Sequence, residues 1–168
     1  MTVLRFKEKK YFRLLIVAGL VVVLDQISKV IIFDTLPLYS TVSVIPGFFN
    51  ITHIHNPGGA FGFLANHSAV WRHLIFLFIS SLAIGLIIYY YHKTPKTHFL
   101  LSCGFALILG GAIGNMIDRV RLGVVIDFLD VYVGNLHWPA FNVADSAISI
   151  GIAIFIYHLV FNKMPDKM

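Results

Sequence analysis

The sequence predicts an all-α membrane protein of four transmembrane helices with short strands in its longer connections. Three observations predict it. Of the 168 residues, 58% are hydrophobic and only 12% are charged, where a soluble domain carries roughly a quarter charged residues. The apolar residues gather into four runs, at about 13–33, 70–91, 98–117 and 141–161, each near the ~20 residues that a spanning helix needs. The two long connections, 34–69 and 118–140, are instead rich in β-branched, aromatic, Pro and Gly residues, which favour short strands and turns. A single polytopic membrane domain over 1–168 is the natural reading.

The first run has the basic flank of a secretory signal peptide, and its unbroken apolar stretch at 14–24 has the right length. Asp25-Gln26 follows where a cleavage site of small residues is needed, and Val30 to Phe33 resume the apolar pattern. The segment therefore reads as a retained spanning helix. Lys and Arg set its direction. Arg5, Lys7, Lys9, Lys10 and Arg13, then Lys93 and Lys96, then Lys163 and Lys167 fall on one side, against Arg119 and Arg121 on the other. Both termini are expected in the cytoplasm and both long connections outside. The net charge of +5 belongs to this anchoring pattern at an anionic membrane face, and no basic stripe with interleaved aromatics points to nucleic acid. Cys103, the single cysteine, lies in an apolar run and reads as a packing residue.

Acids in or beside membrane helices are costly, so each needs a reason. Glu8 and Asp166 fall in solvated tails, and Asp34 is expected to cap the end of the first helix. Asp25 and Lys29 are four apart on that helix, hence on one face, and neutralise each other. Asp25 lies ~18 Å beyond Arg13, inside the bilayer, so this pair is expected to be a structural tie between helices. Asp118 and Arg119 are expected to end the third helix. Upstream of them, Ala106, Gly110 and Gly114 form a seam of small residues along which another helix can approach closely.

The run Val124-Val125-Ile126-Asp127-Phe128-Leu129-Asp130-Val131-Tyr132-Val133 reads as a strand, on which Asp127 and Asp130 point to opposite faces. Asp145 stands just inside the fourth helix, at the same membrane face as Asp127. Two carboxyls brought together there share one proton, because both cannot ionise easily, and such a dyad activates water with one member and polarises a carbonyl with the other. A pair of capping or ion-pairing aspartates is the bland alternative. His53 and His55 would share a strand face as two metal ligands, without an obvious third. Ser146 and His158 lie ~18 Å apart along one helix, too far for a nucleophile and its base. Asp118, Asp127 and Asp130 can also be read as a magnesium cluster of a membrane lipid-head-group transferase. A proton-coupled transporter fits four helices with acids at one face poorly.

The segment Leu107-Ile108-Leu109-Gly110-Gly111-Ala112-Ile113-Gly114-Asn115-Met116-Ile117-Asp118-Arg119 resembles the signature of the lipoprotein signal peptidases, the signal peptidase II family. The resemblance extends to Asp25-Gln26-Ile27-Ser28-Lys29, Asn56-Pro57-Gly58-Gly59-Ala60-Phe61-Gly62, Gly123-Val124-Val125-Ile126-Asp127-Phe128-Leu129-Asp130 and Phe141-Asn142-Val143-Ala144-Asp145, in the family's order. It implies four transmembrane helices with a small extracytoplasmic β-cradle in the bacterial cytoplasmic (inner) membrane. It implies a metal-independent aspartic endopeptidase without cofactors, acting on prolipoproteins whose cysteine carries diacylglycerol and cutting before that cysteine. Asp127 and Asp145 match the catalytic positions. Asn56, Gly58, Asn115, Asp118, Arg119 and Asn142 match polar positions that line or support the site. Membrane lipid is the other expected partner, nucleic acid is not, and a monomer is expected. Gly58, Gly59 and Gly62 suggest that the first outer connection is mobile.

Overall fold

The computed structural model describes residues 2–58 and 68–165, with side chains from Lys9 onward except that of Ala69. Gly59, Gly62, Asp166 and Lys167 lie outside the described residues, as do the side chains of Arg5, Lys7 and Glu8. The elements run α1 (Thr2–Thr35), β1 (Thr41–Ile45), β2 (Phe49–Asn56), α2 (Ala69–Lys93), α3 (Phe99–Leu122), β3 (Val125–Val133), β4 (Leu136–His137) and α4 (Val143–Val160). Each helix contains a stretch long and apolar enough to cross a membrane. Large apolar side chains such as Phe12, Leu15, Phe78, Ile150 and Val160 face outward, the arrangement lipid as solvent demands.

α3 is the hub, packed against α1, α2 and α4. In its apolar span 56% of the residues are buried, against 6% in α2, which therefore sits at the periphery. Small residues bring the backbones together. A Cβ at Gly110 would lie 2.8 Å from the Ala18 carbonyl oxygen of α1, and one at Gly114 would lie 2.6 Å from Asp25 Oδ2. On an adjoining face of α3, Gly104 packs on α4 at Gly151 and Ile154. The seam expected from Ala106, Gly110 and Gly114 thus receives α1, and a second one receives α4.

The strands form one antiparallel sheet in the order β1-β2-β3-β4. β1 is exposed along its length, whereas the first half of β3 is buried on both faces, with Ile126 and Phe128 packed against Ile32 of α1. β2 carries a register shift between Ile51 and Ile54, after which Ile54 stands opposite Asp127 and Asn56 opposite Val125. That irregularity bends the strand and carries Asn56 to the edge of the helix bundle.

Three helix ends differ from the sequence reading. α3 continues past Asp118 and Arg119 to Leu122 and stops where Gly123 adopts φ 75°, a left-handed cap that glycine tolerates best. α4 begins only at Val143, because Asn142 is its N-cap and Phe141 bridges to Leu129 of the sheet. Asp34 does not cap α1. It lies exposed in the last turn without a hydrogen bond among the described residues, since a carboxylate only accepts and the final carbonyls need donors.

Candidate active site

Asp127 enters the site from β3 and Asp145 from the first turn of α4. Asn142 joins them. Its side-chain Nδ2 donates to Asp127 Oδ1 at 2.7 Å, its Oδ1 accepts from the Asp145 peptide N–H at 2.9 Å, and its own peptide N–H donates to Asp145 Oδ2 at 3.2 Å. The last two bonds form a capping box, so the residue that starts the helix also holds both acids. Asn142 is fully buried and also meets the Ile126 carbonyl at 3.2 Å, which fixes it to the sheet.

Two more amides complete the donor set. Asn56 Nδ2 donates to Asp127 Oδ2 at 2.9 Å, and Asn115 Nδ2 donates to Asp145 Oδ1 at 2.7 Å. Both are oriented from behind. The Gly58 peptide N–H donates to Asn56 Oδ1 at 2.8 Å from a residue with φ 83°, where any Cβ would run into the Phe76 ring. Lys29 Nζ donates to Asn115 Oδ1 at 2.9 Å. An ammonium has only donors, so the carbonyl end of Asn115 must face Lys29 and its NH2 end must face Asp145.

Lys29 belongs to a second cluster. It pairs with Asp25 at 2.9 Å and with Asp118 at 2.8 Å, all three nearly or fully buried. Asp25 reaches on to the Ala144 peptide N–H at 2.9 Å, and Asp118 to that of Ile126 at 3.2 Å. The cluster therefore ties α1 to α3, α4 and the sheet. Gln26, which the sequence reading did not single out as a site residue, bonds Asp25, Asp118 and the Gly114 carbonyl. A polar side chain inside an apolar helix, next to Asp25, was the signal for it.

Arg119 is not paired with an acid among the described residues. Its guanidinium donates to the Asn115 carbonyl at 3.3 Å and lies 5.7 Å over the Phe76 ring, a stacking that suits a planar cation. Asp130 is separate from Asp127, as strand alternation requires, and is held by Asn50 at 2.9 Å and His137 at 2.8 Å. Asp118, Asp127 and Asp130, weighed above as a magnesium cluster, thus have three different sets of partners. His53 and His55 meet through their Nε2 atoms at 3.1 Å, with His53 Nδ1 against the Leu36 carbonyl at 2.7 Å. Ser146 and His158 each bond a carbonyl of their own helix, of Asn142 and Ile154 respectively.

Burial without a cation in contact favours the neutral form of Asp127. Its pKa is pushed up from 3.8 to about 6, chiefly by desolvation, with the charge of Asp145 adding to the rise and the Asn56 and Asn142 hydrogen bonds opposing it. The arrangement is two carboxyls fed only by neutral amides and peptide N–H groups, suited to holding one proton between them.

A sequence model of the signal peptidase (SPase) II family matches residues 17–161. The chain belongs to that family. It is 54% identical to the lipoprotein signal peptidase of Desulforapulum autotrophicum over 92% of this chain and 95% of the relative. It is 47% identical to that of Syntrophus aciditrophicus over 95% and 99% of the two chains. Two solved structures of a bacterial membrane enzyme share its fold at 32% identity. One has TM-score 0.79, covering 92% of this chain and 91% of that one, and the other 0.76, covering 87% and 91%. This signal peptidase II family member is accordingly an aspartic peptidase and a multi-pass membrane protein.

Proposed function

We propose that the chain removes signal peptides from prolipoproteins whose cysteine already carries diacylglycerol, cutting the peptide bond before that cysteine. The observation that carries this reading is the bridge through Asn142, which holds an acid from the sheet on its side-chain amide and an acid from a helix on its peptide N–H. A lipid anchor on the cysteine would hold the scissile bond at the membrane surface, the level at which the helices end and the sheet begins.

Asp127 and Asp145 share one proton in the resting site. The ionised carboxylate takes a proton from water as the water oxygen attacks the carbonyl carbon. The protonated partner gives its proton to the carbonyl oxygen, and a tetrahedral diol forms. As the C–N bond breaks, the leaving nitrogen takes the proton from the first carboxyl. A diol hydroxyl returns one to the second, which restores the starting state. Asn56, Asn115 and Asn142 hold the two acids, Gly58 and Lys29 orient Asn56 and Asn115, Asp118 holds Lys29, and Arg119 stands at the mouth against Phe76. No step calls on a metal.

The enzyme sits in the bacterial cytoplasmic membrane with both termini inside and the sheet outside, as the Lys and Arg distribution supports. Incubating purified protein with a diacylglyceryl-modified prolipoprotein and with its unlipidated form tests the reading by gel shift. Only the lipidated form is expected to shorten. Equal cleavage of both, or of neither, overturns it.

A further inference from the structure

A cavity of about 300 Å³ opens between the sheet-side ends of α1 and α3. Its lining is Gln26, Lys29, Val30, Phe33, Asp34, Asp118, Arg121, Leu122 and Ile126, so neither Asp127 nor Asp145 faces it. Lys29 and Asp118 are buried at its floor and already neutralise each other. Asp34 and Arg121 are exposed at its mouth, and both are short of partners among the described residues. Asp34 makes no ion pair or hydrogen bond there, and Arg121 makes a single long one, 3.5 Å to Gln26 Oε1.

Asp34 is unexpectedly placed. It is an anion in the last turn of α1, beside carbonyls that already carry the negative end of the helix. A cation bound there would answer both the carboxylate and the free carbonyls. Arg121 offers the opposite, a fork of donors suited to a phosphate. The walls beside the two charges, Val30, Phe33 and Leu122, are exposed and apolar. Anion, cation and apolar wall thus meet where a spanning helix leaves the hydrocarbon for the headgroup layer.

We propose that this cavity seats the headgroup of a membrane phospholipid bearing a primary ammonium, with its phosphate on Arg121, its ammonium on Asp34 and its chains along Val30, Phe33 and Leu122. A headgroup without the ammonium leaves Asp34 unanswered. A quaternary ammonium supplies the charge but no N–H donors for the carboxylate and carbonyls. The proposal does not rest on the peptidase reading, although Lys29 and Asp118 belong to both sites, and its readout is binding rather than cleavage.

The test titrates the purified full chain in detergent with dihexanoyl phosphatidylethanolamine, phosphatidylglycerol and phosphatidylcholine, following lipid adducts by native mass spectrometry. The ethanolamine lipid is expected to bind about tenfold tighter than the other two, as one charged hydrogen-bonded contact gives. Asp34→Asn should bring it down to the glycerol lipid, and Arg121→Gln should weaken all three by about tenfold. Equal binding of the ethanolamine and glycerol lipids by the unmodified protein overturns the proposal, and this arm needs no variant to fold. Unchanged selectivity in Asp34→Asn overturns it as well. Soluble phosphoethanolamine binding as tightly as the lipid overturns the assignment to a membrane component.

Discussion

Two groups of buried or half-buried acids sit side by side in this molecule and differ chiefly in the presence of a cation. Asp25 and Asp118 close on the Lys29 ammonium, with peptide N–H groups and Gln26 taking up remaining oxygens. Asp127 and Asp145 have only amides and a peptide N–H as donors. The first arrangement fixes charge and holds helices together. The second leaves two carboxyls able to trade a proton. Asn115 stands between them, its oxygen on Lys29 and its NH2 on Asp145, so the ion-paired group orients an amide that holds the other.

The largest effect should come from removing either reactive acid. Asp127→Asn and Asp145→Asn are each expected to lower cleavage of a lipidated substrate by about a thousandfold or more while the protein still inserts. Turnover at the unmodified rate in either would break the comparison. Asp25→Asn should act differently, lowering stability by about 3–5 kcal/mol because Lys29 loses part of its compensation, as seen in unfolding in detergent. An unchanged unfolding transition with lost turnover would place Asp25 in the reactive group instead.

A smaller effect separates the groups by pH. The folded-state pKa of Asp127 is raised from 3.8 to about 6, so folding favours its protonated form. This contribution, roughly 3 kcal/mol by linkage, is full below about pH 4 and lost as the pH rises through about 6. Asp127→Asn should flatten the wild-type decline over that window, and an identical decline in the variant would remove Asp127 as its source. The smallest effect expected is on catalysis through Lys29. Lys29→Gln should lower kcat about tenfold with KM little changed, and should add nothing in an Asn115→Ala background, a coupling that a double-mutant cycle reads directly. Additive losses would mean that Lys29 acts by another route.

The four helices were legible because composition and run length are global properties that lipid enforces. Their ends were not, because a cap is a local bargain: Gly123 stops α3 and Asn142 starts α4 through hydrogen bonds that no hydropathy pattern carries. Within the site, the pairing of Asp25 with Lys29 follows from one helical turn. Its closure by Asp118 and Asn115 of α3 depends on how two helices meet along glycines. The separation of Asp127 from Asp130 was readable from strand alternation, whereas the opposition of Ile54 to Asp127 depends on a register shift in β2 that the residue pattern does not mark. The orientation of Asn56 rests on the backbone at Gly58, and only the family resemblance points to Asn56 and Gly58 as site residues.

Asn142 is at once the first cap of α4 and the link between the acids. Of the four helices α4 is also the last in the chain. A nascent molecule that has threaded three helices into the bilayer therefore holds one aspartate without its mate and without the residue that would join them. The two acids are joined only in the event that completes the bundle, so the site exists in the assembled fold and in no partial one.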